Sequence, residues 1–96
     1  MNPDDIIQAA EEALKRDGVA LKDVPRLILR ESLSGKSYER MEGYESQHLK
    51  NEGSMLWKQL SKALGEPVKK TNFKGALENY WYRSHSQVFY YSNSQP

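Results

Sequence analysis

Apolar positions recur at three- and four-residue steps in four stretches of the chain, the period of a helix that buries one face. In the first stretch Ile6, Ile7, Ala10, Ala13 and Leu14 form the stripe. Asn2 stands at the N-cap position and Pro3 suits the first turn, where a missing N–H costs nothing. Asp4 and Asp5 complement the positive end of the helix dipole, and Gly18 stops the pattern. A helix over residues 3–17 follows, with an acidic outer face expected to be solvated. Val19 and Leu21 anchor the connector after it. The second stretch, Leu27, Ile28, Leu29 and Leu33, is the most apolar, with Asp23 as a candidate cap, Pro25 in the first turn and Ser34-Gly35 at the end. A helix apolar on more than one side is expected at the middle of a bundle.

The third stretch is the longest. Leu49, Gly53, Leu56, Leu60 and Leu64 share a face, Glu45 or Ser46 caps the start, and Gly65 and Pro67 end it. Trp57 lies beside Leu56 and Leu60, so its ring is assigned to the core. Gly53 in mid-helix costs about 0.8–1 kcal/mol against alanine. A close helix backbone, that of the second helix, is the expected reason for it. Ahead of this stretch, Ser37 to Glu42 carries a short helical signal with Tyr38 and Met41 facing inward, and Gly43 supplies a turn. Short helix, glycine turn and longer helix with a polar face is the outline of a helix-turn-helix. Val68 reads as an inward anchor. Thr71 or Asn72 caps the last stretch, Phe73, Ala76, Leu77, Tyr80 and Trp81, which is expected to end near Arg83.

The fold class is therefore all-α, a compact four- to five-helix bundle containing a helix-turn-helix-like unit. Residues 1–83 form the domain and 84–96 a flexible tail or linker, ending in Ser, Asn, Gln and Pro. Val88, Phe89, Tyr90 and Tyr91 in that tail are expected to fray with it, to pack back on the bundle or to pair as a short strand.

Composition narrows the function. The chain has 96 residues, room for one small domain, and no cysteine, so disulfides and thiolate metal sites are excluded. No apolar run is long enough to span a membrane, and the acidic start lacks a secretory leader, so a cytoplasmic location is expected. The two histidines, His48 and His85, are far apart and no metal-ligand spacing occurs. Gly35-Lys36-Ser37 lacks the upstream glycine of a phosphate-binding loop. No catalytic constellation, metal, cofactor or small-molecule substrate is expected, and the protein is read as a non-enzyme. The net charge of +1 argues against tight autonomous DNA binding. The aromatic residues near the C-terminus lack the interleaved cations of a single-strand binder; only Arg83 stands among them.

The polar face of the third helix carries the candidate chemistry. Ser46, Gln47, His48, Lys50, Asn51, Ser54 and Lys58 lie on it. In a DNA-binding reading Gln47, His48 and Asn51 face base edges, whereas Lys50, Ser54 and Lys58 face phosphates. The competing reading is a non-catalytic protein-interaction or self-association domain.

Lys36-Ser-Tyr-Glu, Gly43-Tyr and then Gly53-Ser-Met-Leu-Trp-Lys-Gln-Leu-Ser-Lys-Ala-Leu-Gly-Glu-Pro-Val together resemble the N-terminal helix-turn-helix domain of vWA-MoxR-associated bacterial proteins. The resemblance extends from the first helix to about Arg83, and its most specific part is Leu56-Trp57, Leu60-Ser61 and Ala63 to Glu66. It implies a helical domain at the front of large signalling or conflict-system proteins, which often continue into NTPase and repeat modules. It leaves DNA binding or transcription-related regulation and an adaptor role as the expected functions. An analogy with region 4 of sigma factors points to Ser46, Gln47, Lys50, Asn51 and Ser54. The chain departs from the family in having about three fewer residues between Tyr38 and Gly43, which shortens the helix that would brace the recognition helix against the DNA backbone.

Overall fold

A computed structural model describes the backbone of residues 1–94 and the side chains of residues 1–84. Among the described residues there are four α-helices, one 3-10 turn and no strand. They are α1 (Pro3–Arg16), α2 (Asp23–Leu33), the turn η1 (Tyr38–Arg40), α3 (Ser46–Leu64) and α4 (Phe73–Ser94). The expected all-helical bundle is what the chain forms.

α1 begins as the sequence predicts. The Asn2 side chain accepts the Asp5 N–H at 2.9 Å, and Pro3 occupies the first turn. The chain leaves α1 through Gly18, whose φ of +76° is a left-handed value. α1 and α3 each pack against every other helix, so the middle of the bundle belongs to them and not to α2. Two alanines explain this: Ala9 and Ala10 are fully buried and let neighbouring helices come close to α1. In α2 only Ile28 and Leu29 are fully buried, while Leu27 and Leu33 lie half-covered at the rim. The acidic face of α1 is not simply solvated either. Glu11 pairs with Arg26 at 2.7 Å and Asp4 with Arg30 at 3.3 Å, tying α1 to α2 across the surface.

The expected cap of α2 differs: Lys22 holds the N-cap position, with Asp23 inside the first turn. Glu45 stands at the N-cap of α3 as expected, without a side-chain cap bond. Asn72 stands directly before α4, as expected, and its carbonyl accepts the Ala76 N–H at 3.2 Å, but its side chain turns back. Its Oδ1 accepts the Lys69 N–H at 2.6 Å and its Nδ2 donates to the Pro67 carbonyl at 3.2 Å. The backbone of α4 continues past the expected end at Arg83 to Ser94, so residues 88–91 are helical and not a strand. Whether their side chains pack back lies outside the described residues.

The unit before α3 is the largest departure. Instead of a short helix over Ser37–Glu42 there is a single 3-10 turn, followed by extended backbone at Met41. Such a turn cannot hold itself. Tyr38 holds it. The Trp57 indole N–H donates to the Tyr38 hydroxyl at 3.0 Å. A Cβ built at Gly53 would overlap that hydroxyl and stand 2.8 Å from Cζ. The missing side chain of Gly53 thus admits the Tyr38 ring and not the backbone of α2. Lys70 completes the clamp: its ammonium donates to the Lys36 carbonyl at 2.6 Å and stands 5.5 Å from the Tyr38 ring centroid. Met41, just after the turn, is buried.

A mutant pair tests this contact. Gly53→Ala is expected to destabilise the fold by about 1–3 kcal/mol through overpacking against Tyr38. In a Tyr38→Ala background the same change should turn stabilising, by up to about 1 kcal/mol of helix propensity. Urea melts of the four proteins read both effects. A Gly53→Ala change with the same sign in both backgrounds would refute the account.

Candidate nucleic-acid interface

α3 buries Leu49, Gly53, Leu56, Trp57 and Leu60 and so turns a fixed face outward. Gln47, His48, Lys50, Asn51, Ser54 and Lys58 are all exposed, and Ser46 is half-buried at the first turn. All seven candidate residues therefore lie on one helix, but they do not form one equivalent set.

Gln47, Asn51, Ser54 and Lys58 fall at i, i+4, i+7 and i+11 and make a straight seam along the helix. Lys62, at i+15, extends the seam and is exposed as well. It was not among the residues singled out from the sequence, although its four-residue step from Lys58 was the available signal. The seam contains no carboxylate. At its start the Gln47 amide donates to Asn51 Oδ1 at 3.0 Å, so these two polar ends already hold each other in register. Among the described residues neither Lys58 nor Lys62 is held by an acid.

The flanks are different. On one side Lys50 Nζ meets Glu39 Oε2 of η1 at 2.8 Å. The hydrogen bond from Lys50, followed by a bond from its own backbone N–H, holds the Glu39 carboxyl below its ordinary range. On the other side His48 stands 3.9 Å from Glu52, with its ring 5.6 Å from that of Tyr44. The basic character of the face is thus interrupted at Lys50 and persists at Lys58 and Lys62.

Beyond the His48 flank lies an open groove of ≈ 880 Å³ between the α1–α2 connector and α3. Val19, Val24, Pro25, Tyr44 and Met55 give it apolar walls. Tyr44 and Met55 are 45% and 57% exposed, which makes them two of the few large apolar side chains left in water. Among the described residues no cluster of His, Asp or Glu could hold a metal ion, and no helix is long and apolar enough to cross a membrane.

Because the folded-state pKa of Glu39 is lowered, its bond to Lys50 stabilises the fold fully above the ordinary glutamate range. That contribution is lost as the pH falls through the lowered value. Side-chain carboxyl NMR is expected to show Glu39 titrating below the ordinary glutamate range, and Lys50→Ala should move its midpoint upward toward that range. An unchanged Glu39 midpoint in Lys50→Ala would show that the pair does not persist in solution.

The model of the family described as vWA-MoxR associated protein N-terminal HTH matches residues 1–80. No curated protein and no solved structure gave a match. The matched span takes in α1, α2, η1, α3 and the first turns of α4, the whole of the helix-turn-helix unit and its supports. The chain belongs to the vWA-MoxR associated protein N-terminal HTH family.

Proposed function

We propose that this helix-turn-helix domain is a weak, non-catalytic binder of double-stranded DNA that acts as one of several copies held together by a larger protein. The observation that carries the reading is the carboxylate-free seam Gln47, Asn51, Ser54, Lys58 and Lys62 on the outer face of α3. From Gln47 to Lys62 the seam runs for about 22 Å at the helical rise. A helix is narrow enough for a B-DNA major groove of about 12 Å. Gln47 and Asn51 carry the amides that can pair with an adenine edge, and Lys58 and Lys62 can neutralise phosphates. Two free lysines give little affinity by themselves. Linked copies would raise it through effective concentration without any new contact.

In this reading the protein works in the cytoplasm, residues 84–96 lead from the domain to the rest of its parent, and no cofactor is required. A second reading rests on a different observation. Tyr44 and Met55 beside the open groove are suited to contact with another protein, as an adaptor domain of a multidomain NTPase signalling protein would need.

Fluorescence anisotropy with a short labelled duplex separates the two. Binding is expected at low salt with a dissociation constant on the order of 10⁻⁴ M. Two released counterions predict a fall of roughly tenfold between about 50 and 200 mM salt. Lys58→Ala with Lys62→Ala should abolish binding, and the uncharged change Met55→Gln should leave it intact. Absence of binding at low salt, or indifference to the two lysines, would overturn DNA recognition in favour of protein docking.

A further inference from the structure

Lys50 is the only lysine or arginine in the first three turns of α3, where a recognition helix meets DNA most closely. It is not available as a free cation. Glu39 takes its ammonium at 2.8 Å, and the two side chains are 47% and 58% exposed, so the pair lies in the open and not in the core. The position of Glu39 is determined by its neighbours. On one side Tyr38 is locked into the notch at Gly53 and bonded to the Trp57 indole. Two residues on, Met41 is buried in the core. The backbone between these anchors is one 3-10 turn, which leaves Glu39 beside Lys50 of α3. A carboxylate placed in this way presents Lys50 with the same chemistry as a phosphate oxygen.

We propose that Glu39 is a built-in competitor for nucleic-acid phosphate, an autoinhibitory contact that keeps Lys50 occupied until a DNA backbone displaces it. The inference rests on the DNA-binding reading of α3. It explains why a face with three lysines presents only two. A phosphate reaching Lys50 must both break the ion pair and approach the Glu39 carboxylate, so loose, non-specific contact is penalised at this end of the helix. A backbone placed in register by Gln47, Asn51 and Lys58 meets the same barrier but recovers the Lys50 contact in return.

The test measures a short labelled duplex against the full chain across a salt series. Glu39→Gln is expected to raise affinity about threefold to tenfold at low salt and to steepen the logarithmic salt slope by about 0.9, the value of one further phosphate contact. In a Lys50→Gln background the same substitution should gain less than about twofold, because no cation remains to be freed. Thermal melts monitor folding, and the charge-swapped pair Glu39→Lys with Lys50→Glu should restore the wild-type slope if Glu39→Gln alone proves unstable. DNA binding by the wild type with no change in slope for Glu39→Gln would overturn this proposal and leave the DNA reading standing. An equal gain in the Lys50→Gln background would also overturn it, as a general effect of removing an acid. No binding by either protein at low salt would overturn both.

Discussion

Tyr38 lies in a notch in α3 where residue 53 has no side chain, and its hydroxyl accepts a hydrogen bond from the indole N–H of Trp57 one helical turn further on. Much of the domain depends on this contact. A helix-turn-helix normally sets its recognition helix with a preceding helix whose own hydrogen bonds keep it straight. Here that helix is reduced to three residues of 3-10 turn, too short to persist without a tertiary anchor. The aromatic side chain replaces the lost length. It fixes η1 against α3, and through η1 it sets the path of the whole α2–α3 connection. Lys70 joins the α3–α4 connection to the same point by its bond to the Lys36 carbonyl and its place over the Tyr38 ring.

The residues that carry the sequence resemblance read differently in this light. Trp57 packs its ring at 5.2 Å from Phe73 of α4 while its N–H serves Tyr38. Ser61, one turn on, accepts the Val68 N–H at 2.8 Å and donates to the Trp57 carbonyl at 2.7 Å. That hydroxyl pulls the chain after Gly65 back against α3, and Val68 is buried as a result. Gly53, Trp57, Ser61, Gly65 and Val68 thus serve one end, holding two connections and α4 on a single helix. They orient α3 and leave its outer face free, so the most recognisable part of the chain is its scaffold.

Helices α1 to α3 were legible in the sequence because each buries a continuous apolar stripe and ends at a glycine with positive φ, Gly18, Gly35 or Gly65. What was not legible depends on contacts between distant residues. The ring that fills the Gly53 notch comes from fifteen positions earlier, and no periodicity signals it. Hydrophobic density suggested α2 as the centre, whereas the small side chains of Ala9 and Ala10 gave that place to α1. The candidate face was legible as a face, since exposure on a helix follows from what the opposite side buries. Its charge was not, because the partner of Lys50 sits on η1.

A net charge of +1 therefore says little about what the surface offers a partner. The acids of α1 that dominate the start of the chain are partly neutralised by Arg26 and Arg30 of α2 and belong to the joint between those helices. On α3 the opposite occurs: a lysine counted as basic is already matched by Glu39. Coulomb attraction between exposed charges decays over about 10 Å in ordinary salt, so the local arrangement decides what an approaching duplex meets. Counted that way, the outer face of α3 is graded, without net positive charge over its first turns and basic toward Lys58 and Lys62. A duplex would be drawn first to the C-terminal half of the helix. The amides of Gln47 and Asn51 would then be reached only by a backbone that also settles the competition at Lys50. The short turn before α3 thereby gains a consequence beyond geometry, because it brings a carboxylate to the outer face of α3.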